Sequence, residues 1–330
     1  MNKNGPVFVV GSPRSGTTLV AQLLSQHSDL FVYNETVFYD YAAGLGRNKS
    51  ITPAQIKSAS EYLINRIEFT VSKEVSKDFG CVIQENEREF IVFEFNKKLD
   101  AMSGDITLSM VFDAFMSSAA EIKGATRWGE KTPNHVFHMD EIAADFPDAR
   151  FIHVIRDPRS FLKSYKFSWS VHGAKNPKSA KKLYHPYVTS RLWKSSVDAF
   201  SRSKSRIGGD TCIEVRYEDV VNNTAQVMNE LFEFLGEQVS HDINLPGGSN
   251  SSFDKNKNKD LDSWEIDVCE YVCRKGIRQY GYQSNKAALT SFISLFRSVL
   301  TLPVFAVQAW IIIKRRYKGG LWSYLRKRLV

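Results

Sequence analysis

One stretch near the start, Pro6-Val-Phe-Val-Val-Gly-Ser-Pro-Arg-Ser-Gly-Thr-Thr18, limits what this chain can fold into more than any other. Its first half is a short, uninterrupted, largely β-branched apolar run, the pattern of a strand buried on both faces of a parallel sheet. Beyond the turn, Leu19, Leu23 and Leu24 have helical spacing, predicting a helix from Thr17 to about Gln26. Strand, loop and helix make the first half of an α/β unit. The glycines of Gly11-Ser-Pro-Arg-Ser-Gly-Thr-Thr18 permit tight backbone turns, and a helix N-terminus follows, so successive N–H groups and the positive end of the helix dipole can face an anion. Arg14, Ser15, Gly16, Thr17 and Thr18 are therefore the expected phosphate-binding residues.

The obvious comparison is the nucleotide-triphosphate loop GxxxxGK[ST], but Thr17 stands where that motif has its lysine, and the cation is Arg14 instead. A triphosphatase also needs an acidic residue after an apolar strand to help hold magnesium. Here the apolar run 151–155 ends in Arg156 and only then Asp157. That strand end suits a second phosphate better than a metal. Arg156 lies where open α/β sheets bind ligands, and Ser164 follows about two helical turns later, so the two can clamp one more phosphate. A nucleotide-dependent kinase and a binding module without catalysis remain open alternatives, and no metal site is expected.

The rest of the chain extends the α/β pattern. Thr52-Pro53 places a hydroxyl cap before a proline, and helical patterns run from there to about Lys123, within a largely helical insertion at 36–125 on the acceptor side. Phe146-Pro147 ends a helix, and 150–155 and 211–216 read as further strands, each followed by a helix (Phe161 to Trp169 and Thr224 to Leu235). The fold class is α/β: a three-layer parallel sheet with a P-loop-like phosphate-binding loop, a helical insertion and a C-terminal apolar and basic helical tail. The polar stretches 172–186 and 245–260 read as loops of the kind that act as lids. Residues 1–285 form the expected catalytic domain and 286–330 the tail.

Charge is distributed unevenly. The formal net charge is +8, but from Lys286 onward there are nine Lys and Arg and no Asp or Glu, which leaves −1 for residues 1–285. A body without basic excess gives no footprint for nucleic acid. Four scattered cysteines, Cys81, Cys212, Cys269 and Cys273, make no disulfide framework and fit a reducing compartment. The short polar Met1–Gly5 segment is not the pattern of a signal peptide, which points to a cytoplasmic location.

With both phosphate segments in view, the sequence resembles the sulfotransferases that use 3′-phosphoadenosine 5′-phosphosulfate (PAPS), over roughly residues 6–285. The resemblance implies that Arg14 to Thr18 hold the 5′ end of the donor and Arg156 with Ser164 its 3′-phosphate. Arg216-Tyr-Glu-Asp219 is similar to the family's strand-end motif, which implies Tyr217 near the adenine. Gly129-Glu-Lys-Thr-Pro133 resembles a stretch of the carbohydrate and tyrosyl-protein branches, implying that Lys131 points at the transferring sulfonate. By the same likeness Glu35, in Val32-Tyr-Asn-Glu-Thr36, is the general base; such a base needs a modest upward shift of its pKa. His27 and His153 are rivals, since some small-molecule branches use histidine. The 251–264 stretch resembles a nucleotide-covering loop with altered spacing and receives no contacts. The implied acceptor is a hydroxyl of a carbohydrate, a lipid-linked glycan or another metabolite.

Residues 290–313 are apolar apart from Arg297 and Pro303 and a few hydroxyl and amide side chains, and a cluster of cations from Lys314 to Arg328 follows. An apolar aromatic helix with a basic end suits an anionic membrane surface, so residues 290–328 are expected to make a peripheral contact at the inner face of a membrane. The other reading of this segment is a helix docked on the body.

Overall fold

The computed structural model describes residues 5–45, 50–72, 83–167, 183–238, 243–245, 260–284 and 288–316. Its centre is a five-stranded sheet ordered β2-β3-β1-β4-β5, with β1 Val7–Gly11, β2 Leu30–Asn34, β3 Arg127–Lys131, β4 Arg150–Ile155 and β5 Cys212–Arg216. The pairings β2–β3, β3–β1 and β1–β4 are all parallel. The helices of this part are α1 Thr17–Leu24, α2 Phe38–Ala42, α3 Pro53–Ser72, α4 Arg88–Asp100, α5 Leu108–Ile122 and α6 Met139–Asp145. The chain then runs through α7 Pro158–Lys166, α8 Pro186–Ile207, α9 Tyr217–Asn222, α10 Thr224–Leu235, α11 Ser263–Gln279 and α12 Ala288–Arg316.

Two compact units emerge, Met1–Val154 with Arg202–Gly247, and Ile155–Ser201 with Gly248–Val330. In the first, alternation along β1 sends its side chains to opposite faces, as the period of a strand requires. Val7 and Val9 join Leu19, Leu23, Met228 and Leu231 of α1 and α10. Phe8 meets Trp128, Phe146 and Phe151 on the other face, where Phe112 of α5 also packs on Trp128. Covering both faces with helices makes the three layers and explains why β1 is apolar throughout.

In the second unit, Trp193 of α8 is buried against α11, where a Cβ on Gly276 would fall 2.6 Å from its ring. Its indole N–H donates to the Arg156 carbonyl at 2.9 Å. Cys269 and Cys273, four residues apart on α11, are buried in the same core, and burial pushes the Cys273 thiol up.

The predicted strands at Val7, Arg150 and Cys212 are present, and the helix Thr224–Leu235 has the expected bounds. β2 and β3 are additions, for two physical reasons. β2 follows α1 after only a few residues and leads into the short α2, without the longer helix that marks the predicted strands. β3 reads Arg-Trp-Gly-Glu-Lys, yet all five residues are buried, because its charges are met by fixed partners. Arg127 donates to Gly5 O at 2.7 Å, to Leu235 O at 2.9 Å and to Glu237 at 2.8 Å. Most of the loops expected at 172–186 and 245–260 lies outside the described residues.

Candidate active site

At the carboxyl end of β1 the chain turns through Ser12–Gly16 into α1. Arg14 and Gly16 both occupy the left-handed region, at φ 77° and 97°, and the Ser15 amide donates to Ser12 O at 3.1 Å. Left-handed residues in such a turn bring successive N–H groups to one side. No side chain caps α1, so its first amides take no side-chain partner there. Ser15 Oγ is buried and has no hydrogen-bond partner among the described residues. The ring of Tyr217, the first residue of α9, packs against this turn: a Cβ on Gly16 would come within 2.2 Å of its Cδ2 atom. Glycine is thus required at position 16 both by conformation and by space.

Two strands away, register does the positioning. β2 pairs β3 with Asn34 opposite Lys131, and the ladder runs one step further as Glu35 N–H donates to Lys131 O at 2.8 Å. The side chains then meet, with Lys131 Nζ 2.7 Å from Glu35 Oε1. Lys131 is 1% exposed and Glu35 39% exposed, so an enclosed ammonium is held by a carboxylate that reaches solvent.

The backbone carrying Glu35 is strained. Glu35 lies at φ 61° and the β-branched Val37 at φ 54°, conformations that cost on the order of 1–3 kcal/mol each and persist only where the surroundings over-determine them. Here they do. Arg66 Nε donates to Glu35 O at 3.1 Å. The Thr36 amide and hydroxyl each donate to Glu130 Oε1 at 2.9 Å. Tyr62 O–H reaches Thr36 O at 3.0 Å and Val37 O at 3.3 Å, and the Val37 amide donates to Thr132 Oγ1 at 3.1 Å. Burial pushes the Tyr62 phenol up to about 12, which keeps it a donor.

Glu130 is the hub of this arrangement. It is wholly buried, takes a further bond from the Thr132 hydroxyl, and has His135 Nδ1 2.9 Å from its Oε2. Since His135 Nε2 accepts the Tyr39 amide at 3.3 Å, the imidazole proton belongs on Nδ1, the nitrogen that faces Glu130. Burial alone would raise the Glu130 pKa, but His135, Thr132 and Thr36 outweigh it and hold the carboxyl below its ordinary range.

A sequence model described as the Sulfotransferase family matches residues 6–241, well over half of the chain. The chain belongs to the sulfotransferase family. Among its relatives are the omega-hydroxy-beta-dihydromenaquinone-9 sulfotransferase Stf3 of Mycobacterium tuberculosis, 25% identical over 32% of this chain and 28% of the relative. Another is the nodulation protein NoeE of Sinorhizobium fredii, 29% identical over 50% of this chain and 32% of the relative. The chain thus spans about a third or less of the length of these curated relatives. Similar solved structures include the sulfotransferase domain from the curacin biosynthetic pathway (TM-score 0.49, 17% identity, covering 85% of this chain and 99% of that one). A second is sulfotransferase STF9 from Mycobacterium avium (TM-score 0.46, 15% identity, covering 87% and 79%).

In this member of the family the first unit brings together Glu35 with Lys131, and Gly16 with Tyr217. Lys131 is enclosed on an interior strand, not a solvated loop residue. Arg156 and Ser164 belong to the second unit, the former just before the Asp157 cap of α7 and the latter on its second turn. There Asp157 caps α7 through the Arg159 amide at 2.8 Å, while the Arg159 side chain bridges Asp157 and Glu270. Of the rival histidines, His153 is buried on β4 with Nδ1 3.5 Å from Glu214, and burial lowers its pKa. His27 accepts the Asp29 amide through Nδ1 at 3.2 Å and faces Gln238 O through Nε2 at 3.1 Å, so both its nitrogens have structural partners. Sequence reasoning missed Glu130, Thr36, Tyr62 and Arg66. The one available signal was the place of Glu130 beside Lys131 in the Gly129–Pro133 stretch already singled out by its likeness to the family. Residues 251–259 of the 251–264 stretch lie outside the described residues.

Proposed function

We propose that this sulfotransferase moves a sulfonate from PAPS to a hydroxyl acceptor, with Glu35 as general base and Lys131 as the cation at the transferring group. The observation that carries the reading is the 2.7 Å pair between Glu35 and Lys131, made where two neighbouring parallel strands end. The donor's fit is supported by the turn at 11–18, where the uncapped helix start, the left-handed Arg14 and Gly16 and the buried Ser15 hydroxyl, unpartnered among the described residues, suit a phosphate group. Arg14, Ser15, Gly16, Thr17 and Thr18 would hold its 5′ end, Arg156 and Ser164 its 3′-phosphate, and Tyr217 would lie by the adenine. PAPS supplies an activated sulfonate on a phosphate leaving group.

The protein's part is proton removal and charge stabilisation. Glu35 reaches solvent through part of its carboxylate and can take the acceptor hydroxyl's proton while that oxygen attacks sulfur in line. Protonation of Glu35 cancels its charge and removes the attraction that holds Lys131. The ammonium is then free to turn its field on the negative charge spreading over the sulfonate and the departing phosphate. The pinned 35–37 backbone keeps the carboxylate still, so little reorganisation accompanies the step.

The acceptor class in this reading is a hydroxyl of a carbohydrate, a lipid-linked glycan or another metabolite. The Mycobacterium relative, whose name specifies a hydroxylated menaquinone, supports an acceptor with an apolar body. The reading puts the enzyme in the cytoplasm, with residues 290–328 touching the inner face of a membrane. The test is to supply PAPS and a panel of hydroxyl-bearing acceptors, sugars and lipid-dispersed alcohols included, and to follow sulfonated product and 3′-phosphoadenosine 5′-phosphate by mass spectrometry. Product formation without added metal is expected. Binding of PAPS with no turnover on any acceptor would favour the binding-module alternative.

A further inference from the structure

The polarity of α12 is inverted. Its most enclosed side chains are small and polar, Ser294 5% and Ser298 0% exposed, with Leu295, Leu302 and Phe305 half-buried around them. Ser294 Oγ donates to Asp267 at 2.8 Å, and the Arg297 guanidinium sits 4.5 Å from the ring centroid of Trp264, both on α11. Thr301 Oγ1 is 3.0 Å from His185 Nε2, and Phe305 packs on the same imidazole. Positions 294, 298, 301 and 305 recur at helical spacing and form one line along the helix, buried at Ser294 and Ser298, half-buried at Phe305 and exposed at Thr301. The opposite side carries Phe292, Phe296, Val299, Leu300, Val307 and Trp310, each between 48% and 72% exposed.

A helix of a water-soluble body buries its apolar stripe and turns its polar side to water. α12 does the reverse, and small residues in the contact with polar bonds across it are how helices pack when lipid is the solvent on the other side. The window Phe292–Ile311 is long and apolar enough to cross a membrane. Crossing would, however, carry Arg297 and the line from Ser294 to Phe305 into hydrocarbon, together with α11, which bears Arg274, Lys275 and Arg278.

We infer that α12 lies in the plane of an anionic phospholipid surface, its Phe292–Trp310 face in the acyl boundary and its Ser294–Phe305 line holding the second unit of the enzyme. This deepens the membrane contact proposed above and rests on it. Charge complementarity selects the occupant: the chain from Lys286 onward has nine cations and no acidic residue, which matches acidic headgroups and repels a second copy of itself. The outward face supplies burial and the tail supplies selectivity for charged lipid.

Flotation of the full chain with vesicles of phosphatidylcholine alone, or with about a third phosphatidylglycerol, tests this. The wild type is expected to float with the anionic vesicles, to release as salt rises, and to bind neutral vesicles about tenfold less. Phe296→Asp with Leu300→Asp should cut binding to anionic vesicles about tenfold or more, because each places a charge in the apolar layer. Both residues are exposed, so melting temperature should stay the same. Equal flotation of this variant and the wild type would overturn the inference. So would a wild type that ignores vesicles and sediments as a dimer which the same substitutions dissociate. Calorimetry with 3′-phosphoadenosine 5′-phosphate on the same samples separates the two readings. Loss of vesicle binding with nucleotide binding intact speaks to α12 alone, whereas vesicle binding without nucleotide binding speaks against the donor assignment.

Discussion

Lys131 Nζ and Glu35 Oε1 are 2.7 Å apart, with the ammonium 1% and the carboxylate 39% exposed. An ion pair of this kind is asymmetric. The lysine has nowhere else to go, while the glutamate has one side open to a reactant. That asymmetry separates the expected consequences of changing either partner.

Glu35→Gln should keep the fold and the nucleotide affinity and lower kcat about 100- to 10,000-fold, the usual contribution of a general base. Lys131→Met should also lower kcat, and it should leave a carboxylate that water can still solvate, so stability changes little. Steady-state kinetics beside nucleotide calorimetry check both. Full turnover by Glu35→Gln would remove it as the base.

Glu130 behaves differently because it is wholly enclosed, accepts from Thr36 and Thr132 and faces His135 Nδ1 at 2.9 Å. Glu130→Gln puts an amide donor among groups that are themselves donors, and a buried network broken in this way typically loses about 3 kcal/mol. Denaturant unfolding should show that loss, while Glu35→Gln shows none. Activity should fall as well, since the 35–37 backbone loses its anchor.

Gly16→Ala meets two obstacles, a φ of 97° and a clash 2.2 Å from Tyr217. The variant should lose nucleotide binding and melt at a lower temperature. Adding Tyr217→Ala removes the clash and not the backbone cost, so melting temperature should recover in part, with about 1–2 kcal/mol remaining. Complete recovery would mean that the turn does not need its left-handed residue.

His138 supplies a pH dependence. Burial alone would lower its pKa, but Asp40, 3.4 Å from Nε2, and Glu141, bonded to Nδ1, raise it overall. The histidine therefore binds its proton more tightly folded than unfolded. Its stabilising contribution is complete below the ordinary histidine pKa of about 6.5 and is lost as pH rises through the raised folded value. Thermal melts across neutral pH should show this slope, and His138→Gln should flatten it.

The parts of this molecule that were legible in the sequence are those where local pattern and tertiary role agree. Val7–Val10 is apolar because both faces of β1 are covered, and Thr224–Leu235 has helical spacing because one side packs on the sheet. β3 was hidden because its burial depends on partners distant in sequence: Arg127 needs Gly5, Leu235 and Glu237, and Glu130 needs Thr36. Glu35 and Lys131 were each named from motifs, but their meeting depends on the β2–β3 register, which no local pattern encodes. The tail's apolar and basic character was plain, whereas the inward serine line of α12 needed α11 beside it.

Isothermal titration with 3′-phosphoadenosine 5′-phosphate and with ATP, both in chelator, tests the central claim most directly. The account predicts binding of the former without metal, lost when Arg14 or Arg156 is replaced by alanine, and little or no binding of ATP. Binding of ATP that requires magnesium, with none of the 3′-phosphorylated nucleotide, would contradict it.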